Sequence, residues 1–190
     1  MFFQKSTLKR FLSALAIAST LAAGIPLATT AQSLPGFTIF GGPDREFELD
    51  YYLESGNKND KDRYKLRIPA RKMEVAASRF VIQHPDYYDG TFPVDEDGNF
   101  LPEEVEIRVG RGRNKETIAV GQAIWIQESY TIEIYPQQPV PADTAVEIVF
   151  HDVKNPRFGG MFFFQCFMEA VGDPPGVPPR YVGTWVIGIN

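Results

Sequence analysis

The chain is 190 residues long, with 19 Lys and Arg against 24 Asp and Glu, a formal net charge of −5, and a single cysteine. That length suits one domain able to bury its own core, and one cysteine cannot build an internal disulfide framework. The acidic balance argues against nucleic acid as a partner, because Lys and Arg neutralising phosphate supply most of that affinity.

The first segment predicts export. Lys5, Lys9 and Arg10 stand in a stretch without acid, the apolar run "FLSALAIASTLAAGI" follows, and Thr29 and Ala31 are small residues suited to cleavage. This pattern predicts a secretory signal peptide over 1–31 followed by a single domain over 32–190. A retained anchor is the second reading, since a spanning helix takes about 20 apolar residues. Removing the leader takes three cations with it and leaves a formal charge of −8. No cysteine lies near the cleavage region to accept a lipid, and Lys9-Arg10 is not a twin arginine.

Beyond the leader, period-two alternation dominates. In "EFELDYYLE" Phe47, Leu49 and Tyr51 fall on one face, and in "DRYKLRI" Tyr64, Leu66 and Ile68 do so. "ARKMEVAAS" has the composition of a short helical turn that needs packing to persist. "SRFVIQH" returns to alternation and runs into "HPDYYDG", where His84, Asp86 and Asp89 form the chain's one close grouping of a base with carboxylates. Asp and Gly there are turn formers, so a structural role is the expectation; an acid–base role would require His84 and Asp86 to converge within hydrogen-bond reach.

"PVDEDGNFLPEE" sets Asp95, Asp97, Gly98 and Glu104 at the third, fifth, sixth and twelfth positions of a calcium-loop template, with Phe100 at the eighth. Pro93 occupies the place of the first aspartate and no flanking helix is evident, so an acidic solvated loop competes with a weak oxygen-ligand site. "EVEIRV" is another strand, and "RVGRGRNK" after it makes a hairpin tip of solvated charge, with contact to anionic headgroups or polysaccharide as the alternative. "ETIAV", "AIWIQE", "YTIEIY" and "TAVEIVF" continue the series. The prolines of "YPQQPVPADT" and "GDPPGVPPR" mark connections or edges that cannot donate a full ladder of backbone bonds.

In "NPRFGGMFFFQCFM" Pro156 and Gly159-Gly160 turn the chain into a strand that is apolar on both faces. Phe162, Phe164, Cys166 and Met168 point one way, and Met161, Phe163, Gln165 and Phe167 point the other. Burying one phenylalanine contributes about 1.5–3 kcal/mol, so the second face needs a cover. The proline-rich tail or the segment around "MEVAAS" would supply it within the chain. A protein partner seated on Phe163 and Phe167, with Arg157 at the rim, is the other reading, since aromatic and arginine side chains anchor such surfaces. Transition metals find few ligands: His84 and His151 belong to no close ligand pair, and the sulfur atoms of Cys166 and Met168 fall in the expected core beside Met161 on the opposite face.

About ten short strands separated by turn residues, with at most one or two short helices, predict an all-β fold, an antiparallel β-sandwich. At "RYKLRIPARKM", "FVIQHPDYYDGTF", "IEIYPQQPVPADTAVEIVF", "VKNPRFGGMFFFQCF" and "RYVGTWVIGI" the chain resembles a family of exported cyanobacterial proteins catalogued as a domain of unknown function, over about Leu34 to Asn190. The resemblance implies periplasm, outer envelope or thylakoid lumen and transfers no catalytic residue. "YPQQPVPADTAVEIVF" is also similar to a strand of bacterial immunoglobulin-like modules and small copper-binding sandwiches, which implies an immunoglobulin-like arrangement.

Two functions remain in view. The first is a non-catalytic binding or scaffolding module that contacts another protein of the envelope or lumen, without a cofactor and without a membrane span once the signal is cleaved. The second is a metal or small-ligand handling protein, with calcium at Asp95, Asp97 and Glu104, or copper.

Overall fold

The computed structural model describes residues 42–112 and 115–190; the expected signal peptide over 1–31 and its cleavage point lie outside the described residues. Among the described residues the chain forms eleven strands: β1 Glu48–Leu49, β2 Tyr51–Leu53, β3 Lys61–Ile68, β4 Ala77–Gln83, β5 Val105–Val109, β6 Glu116–Ile118, β7 Val120–Ile126, β8 Thr131–Pro136, β9 Val146–Lys154, β10 Gly160–Ala170 and β11 Arg180–Ile189. Two 3-10 turns, Ala70–Lys72 and Gln127–Ser129, are the only helical pieces among these residues.

The strands make two sheets, β1-β11-β10-β4-β8-β7 and β2-β3-β9-β5-β6. Taking β2, β3, β4, β5, β9, β10 and β11 in chain order as A to G, one sheet holds A-B-E-D and the other C-F-G, the strand order of an immunoglobulin constant-type sandwich. Strands β6, β7 and β8 are an insertion between D and E that extends both sheets. The fold is therefore all-β and immunoglobulin-like.

Alternation fixes the core. Tyr64, Leu66 and Ile68 of β3, Phe80 and Ile82 of β4, Ile148 and Phe150 of β9, and Phe164 and Cys166 of β10 are buried between the sheets. Trp185 of β11 is completely enclosed, and its indole N–H crosses the sandwich to donate to the Arg67 carbonyl of β3 at 3.1 Å.

Two single residues carry the chain between sheets. "EFELDYYLE" is not one strand: β1 lies parallel to β11, Asp50 turns the chain, and β2 lies antiparallel to β3. Leu49 consequently enters the core while Phe47 lies outside against Tyr181, at 5.5 Å between ring centroids, so the expectation that Phe47 and Leu49 share a face is corrected. Gly183 makes the parallel contact with β1 feasible, because a Cβ there would sit 2.5 Å from the Phe47 carbonyl oxygen. Ala119 acts as the second switch, from β6 at the edge of one sheet to β7 at the edge of the other.

The proline-rich segments are connections. Gly172–Pro179 is the hairpin between β10 and β11, closed by Asp173, which accepts from the Ala170 amide at 2.9 Å and from the Arg180 guanidinium at 2.8 Å. In the β8–β9 crossover Val140 is fully buried and exchanges two backbone hydrogen bonds with Ala77, each 2.9 Å.

Candidate functional site

One end of the sandwich is organised by a buried polar network that ties the "HPDYYDG" and "NPRFGG" segments together. The Tyr64 hydroxyl donates to Asn155 Oδ1 at 2.6 Å and lies 3.1 Å from the Tyr88 hydroxyl. Burial pushes both phenols above their ordinary range, so both keep their protons. The Asn155 amide donates to the Asn57 carbonyl at 2.8 Å and to Asp62 Oδ2 at 3.0 Å. Asp62 in turn accepts from the backbone amides of Glu54, Ser55, Gly56 and Arg63 at 2.7–2.9 Å. Burial works against its charge, but the bonds from Asn155 and these amides outweigh that and hold the carboxyl below its ordinary value.

On the surface side of the same junction Arg157 donates from Nε to Asp89 Oδ2 at 2.7 Å, and its backbone amide donates to Asp89 Oδ1 at 3.1 Å. The guanidinium is well exposed, so solvent screens the pair and its main effect is to fix one loop against the other. The two loops thereby present Tyr87, Phe158 and Met161, which remain 58%, 72% and 55% exposed. Tyr87 is propped from below: its ring lies 5.8 Å from that of Phe162, and its hydroxyl donates to the Met161 carbonyl at 3.4 Å. Arg157 spans the face of Phe158, with its guanidinium carbon 5.8 Å from the ring centroid. Beside this platform lies a hollow of about 520 Å³ lined by Gln83, Tyr87, Tyr130, Phe163 and Gln165.

The expected partner residues thus separate. Arg157 belongs to the platform and Phe163 lines the hollow next to it, half-buried, with Gly42 close to its ring. Phe167 sits further along the same strand face under Tyr181, which is itself against Phe47, with Lys72 Nζ 4.4 Å from the Phe47 ring centre. The aromatic neighbours of Phe167 therefore run from Tyr181 of β11 to Phe47 of the segment leading into β1. Tyr87 and Phe158 were missed in sequence because Pro, Asp and Gly around them signal turns, and turn residues give no information about which side chains a docked loop will hold outward.

His84 is locked into packing. Trp125 Nε1–H can only donate, and it reaches His84 Nε2 at 2.9 Å, so the proton is on Nδ1, which donates to the Pro85 carbonyl at 3.1 Å. The ring is enclosed by Tyr88, Phe92, Trp125, Tyr130 and Phe164. Burial lowers its pKa, opposed only in part by the Pro85 bond. Unfolded histidine takes a proton below about pH 6.5 while the buried ring resists, so its contribution to stability is intact above that pH and is lost as pH falls through the folded value. The melting temperature of the protein should therefore drop more steeply between pH 7.5 and 5.5 than that of His84→Gln; parallel curves would contradict the assignment.

His151 is also engaged at both nitrogens. Nδ1 accepts from Arg63 Nε at 2.9 Å, which leaves Nε2–H facing Glu106 Oε1 at 2.8 Å. Of the candidate sulfur ligands, Cys166 and Met168 lie in the core, where burial pushes the thiol pKa up, and Met161 is on the outer face. Asp95 closes the tight turn of a small hairpin, its Oδ1 accepting from the amides of Asp97 at 3.0 Å and Asn99 at 2.8 Å, and Gly98 takes a φ of +83°. Glu104 stands beyond this hairpin, its carbonyl accepting from His151 at 2.9 Å in β9. The structure does not gather Asp95, Asp97 and Glu104: among the described residues no three His, Cys, Asp or Glu side chains are placed to hold a metal ion.

An immunoglobulin-like sandwich that carries a rigid, solvent-facing aromatic platform at one end is the class this fold and surface define. The chain belongs to the family described as "Protein of unknown function (DUF2808)", whose sequence profile matches residues 37–189. No curated protein matches the chain. Among solved structures it is similar to the collagen-binding domain of a Staphylococcus aureus adhesin, with 10% identity, 75% of this chain and 96% of that one covered, and a TM-score of 0.38. It is also similar to an uncharacterised Nocardia farcinica protein with an immunoglobulin-like fold, with 12% identity, 72% and 97% covered, and a TM-score of 0.33. These likenesses are distant, and the sandwich assignment rests on the chain's own strand order. Among the described residues no helix is long and apolar enough to cross a membrane.

Proposed function

We propose that the protein is an exported, non-catalytic binding module that docks another protein of the cell envelope or lumen on the surface formed by Tyr87, Phe158 and Met161, with Arg157 at its rim and Phe163 at its edge. The observation that carries this reading is the contrast at one place in the fold. Beneath the surface the buried polar side chains Tyr64, Tyr88, Asn155 and Asp62 are bonded to one another, whereas the three large apolar side chains above them stay in water. Holding them there forgoes burial energy that a partner would recover; the aromatic rings lose little conformational freedom on binding, and Arg157 is already held by Asp89. Export is supported by the leader pattern around Lys5, Lys9 and Arg10.

The test is native purification of the protein with its bound partner, compared with Phe158→Ser/Met161→Ser. A second pair, Val171→Ser/Val177→Ser, alters exposed apolar residues on the β10–β11 hairpin and serves as a control. Each anchor is expected to contribute about 2 kcal/mol, roughly thirtyfold in Kd, so the first pair should abolish a stoichiometric complex and the control should retain it. A complex that survives the first pair, or is lost equally with the control, would overturn the proposal.

A further inference from the structure

The outer face of β3, β9 and β5 carries a charge array whose registry the strand pairing dictates. Arg67 and Arg108 both pair in register with Glu147, one from each neighbouring strand. Glu147 is 4% exposed and takes Lys115 Nζ at 2.7 Å and Arg67 Nε at 3.1 Å, with Arg108 Nη1 at 3.7 Å. Arg67 Nη1 also reaches Asp50 Oδ2 at 2.8 Å. Burial opposes the charge on Glu147, but Lys115 and Arg67 more than compensate and hold its pKa below the ordinary carboxylate value. This acid is fully committed.

Asp50, Arg67, Lys115 and Glu147 form one wall of a cleft of about 670 Å³ between the turn after β3, the β5–β6 tip and the approach to β9. Its accessible apolar lining comes from Pro69, Ala70 and Ala145, since Ile68 and Val146 turn into the core, and two further cations, Arg71 and Arg111, also line it. Among the described residues neither Arg71 nor Arg111 has a carboxylate partner, and both are exposed, so the cleft holds four cations against Glu48, Asp50 and Glu147. This surplus of one positive charge, with Arg71 and Arg111 unpaired, is opposite in sign to the chain's net −5. Such a concavity focuses the field and raises the local concentration of anions.

We propose that this cleft binds a phosphate or sulfate ester group, gripped by the guanidinium forks of Arg71 and Arg111, with the organic part of the ligand against Pro69, Ala70 and Ala145. Guanidinium donors suit tetrahedral oxyanions, and the volume lies within the range of small-ligand sites. Arg67 and Lys115, held by Glu147, position the wall and contribute field rather than free donors. The site is separate in sequence and in strands from the aromatic platform, so its fate does not depend on the protein-docking proposal.

The test uses amide chemical-shift titration of the purified protein with glucose 6-phosphate, against equal ionic strength of sodium chloride, together with flotation on phosphatidylglycerol and phosphatidylcholine vesicles. Saturable shifts at Arg71, Gly110 and Ala145, weakened at least tenfold in Arg71→Ala/Arg111→Ala with an unchanged melting temperature, are expected for a soluble ester. Selective flotation with phosphatidylglycerol, lost in the same variant and with added salt, would support the proposal and identify the source as a headgroup. Absence of both, or binding undiminished in the double variant, would overturn it.

Discussion

Replacing Asp62 by alanine is expected to cost about 3–5 kcal/mol, because it strands several buried donors at once. The amides of Ser55 and Gly56 and the Asn155 side chain all point at this carboxylate, which is 5% exposed and has no cation partner in its shell of bonds. Asparagine is nearly isosteric but offers one acceptor oxygen and two unwanted donors, so Asp62→Asn should recover only a minor part of the loss. The folded carboxyl is held below its unfolded value. The stability it gives is therefore complete above about pH 4 and disappears as pH falls through the folded pKa. Urea denaturation at pH 7 measures the first effect, and a gap between wild type and Asp62→Asn that narrows as pH falls below about 4 measures the second. A difference below about 1 kcal/mol at pH 7 would show that the network does not hold the loop end together.

Trp185→Ala should be of comparable size, about 3–5 kcal/mol, for a different reason. The indole is the largest fully enclosed side chain, and it joins the two sheets both by packing and through its bond to the Arg67 carbonyl. Trp185→Phe keeps most of the apolar volume and loses the bond, so about 1–2 kcal/mol of that loss should remain. Denaturation midpoints at constant m-value separate the two contributions. If the phenylalanine variant were as unstable as alanine, the hydrogen bond rather than the packing would dominate.

What the sequence made legible was whatever depends on local period. "DRYKLRI" and "MFFFQCFM" placed Tyr64, Leu66, Phe164 and Cys166 on their correct inner faces, because alternation is a property of consecutive residues. Sheet membership was not legible. Asp50 and Ala119 each separate two alternating runs by a single residue, and nothing local distinguishes a continuing strand from a change of sheet; hence Phe47 was assigned to the wrong side. The polar network was hidden for a related reason. Asp62 and Asn155 lie 93 residues apart, and each taken alone is an ordinary turn-flanking residue. "HPDYYDG" and "NPRFGG" were recognised as turns, but only their docking reveals that Tyr88 and Asn155 work inward while Tyr87 and Phe158 face water. The cleft cations show the same limit: "RVGRGRNK" gave the basic tip, while Arg71 joins it only through the fold.

If another protein docks on the Tyr87–Phe158–Met161 surface, a probe at position 158 lies within its reach. Site-specific photo-crosslinking in living cells tests that docking most directly, with the reactive side chain placed at 158 and, as a reference, at 117 on the edge strand β6. A single discrete adduct from position 158, absent from 117 and suppressed by Tyr87→Ser, is the predicted result. No adduct from 158, or the same adducts from both positions, would contradict the account.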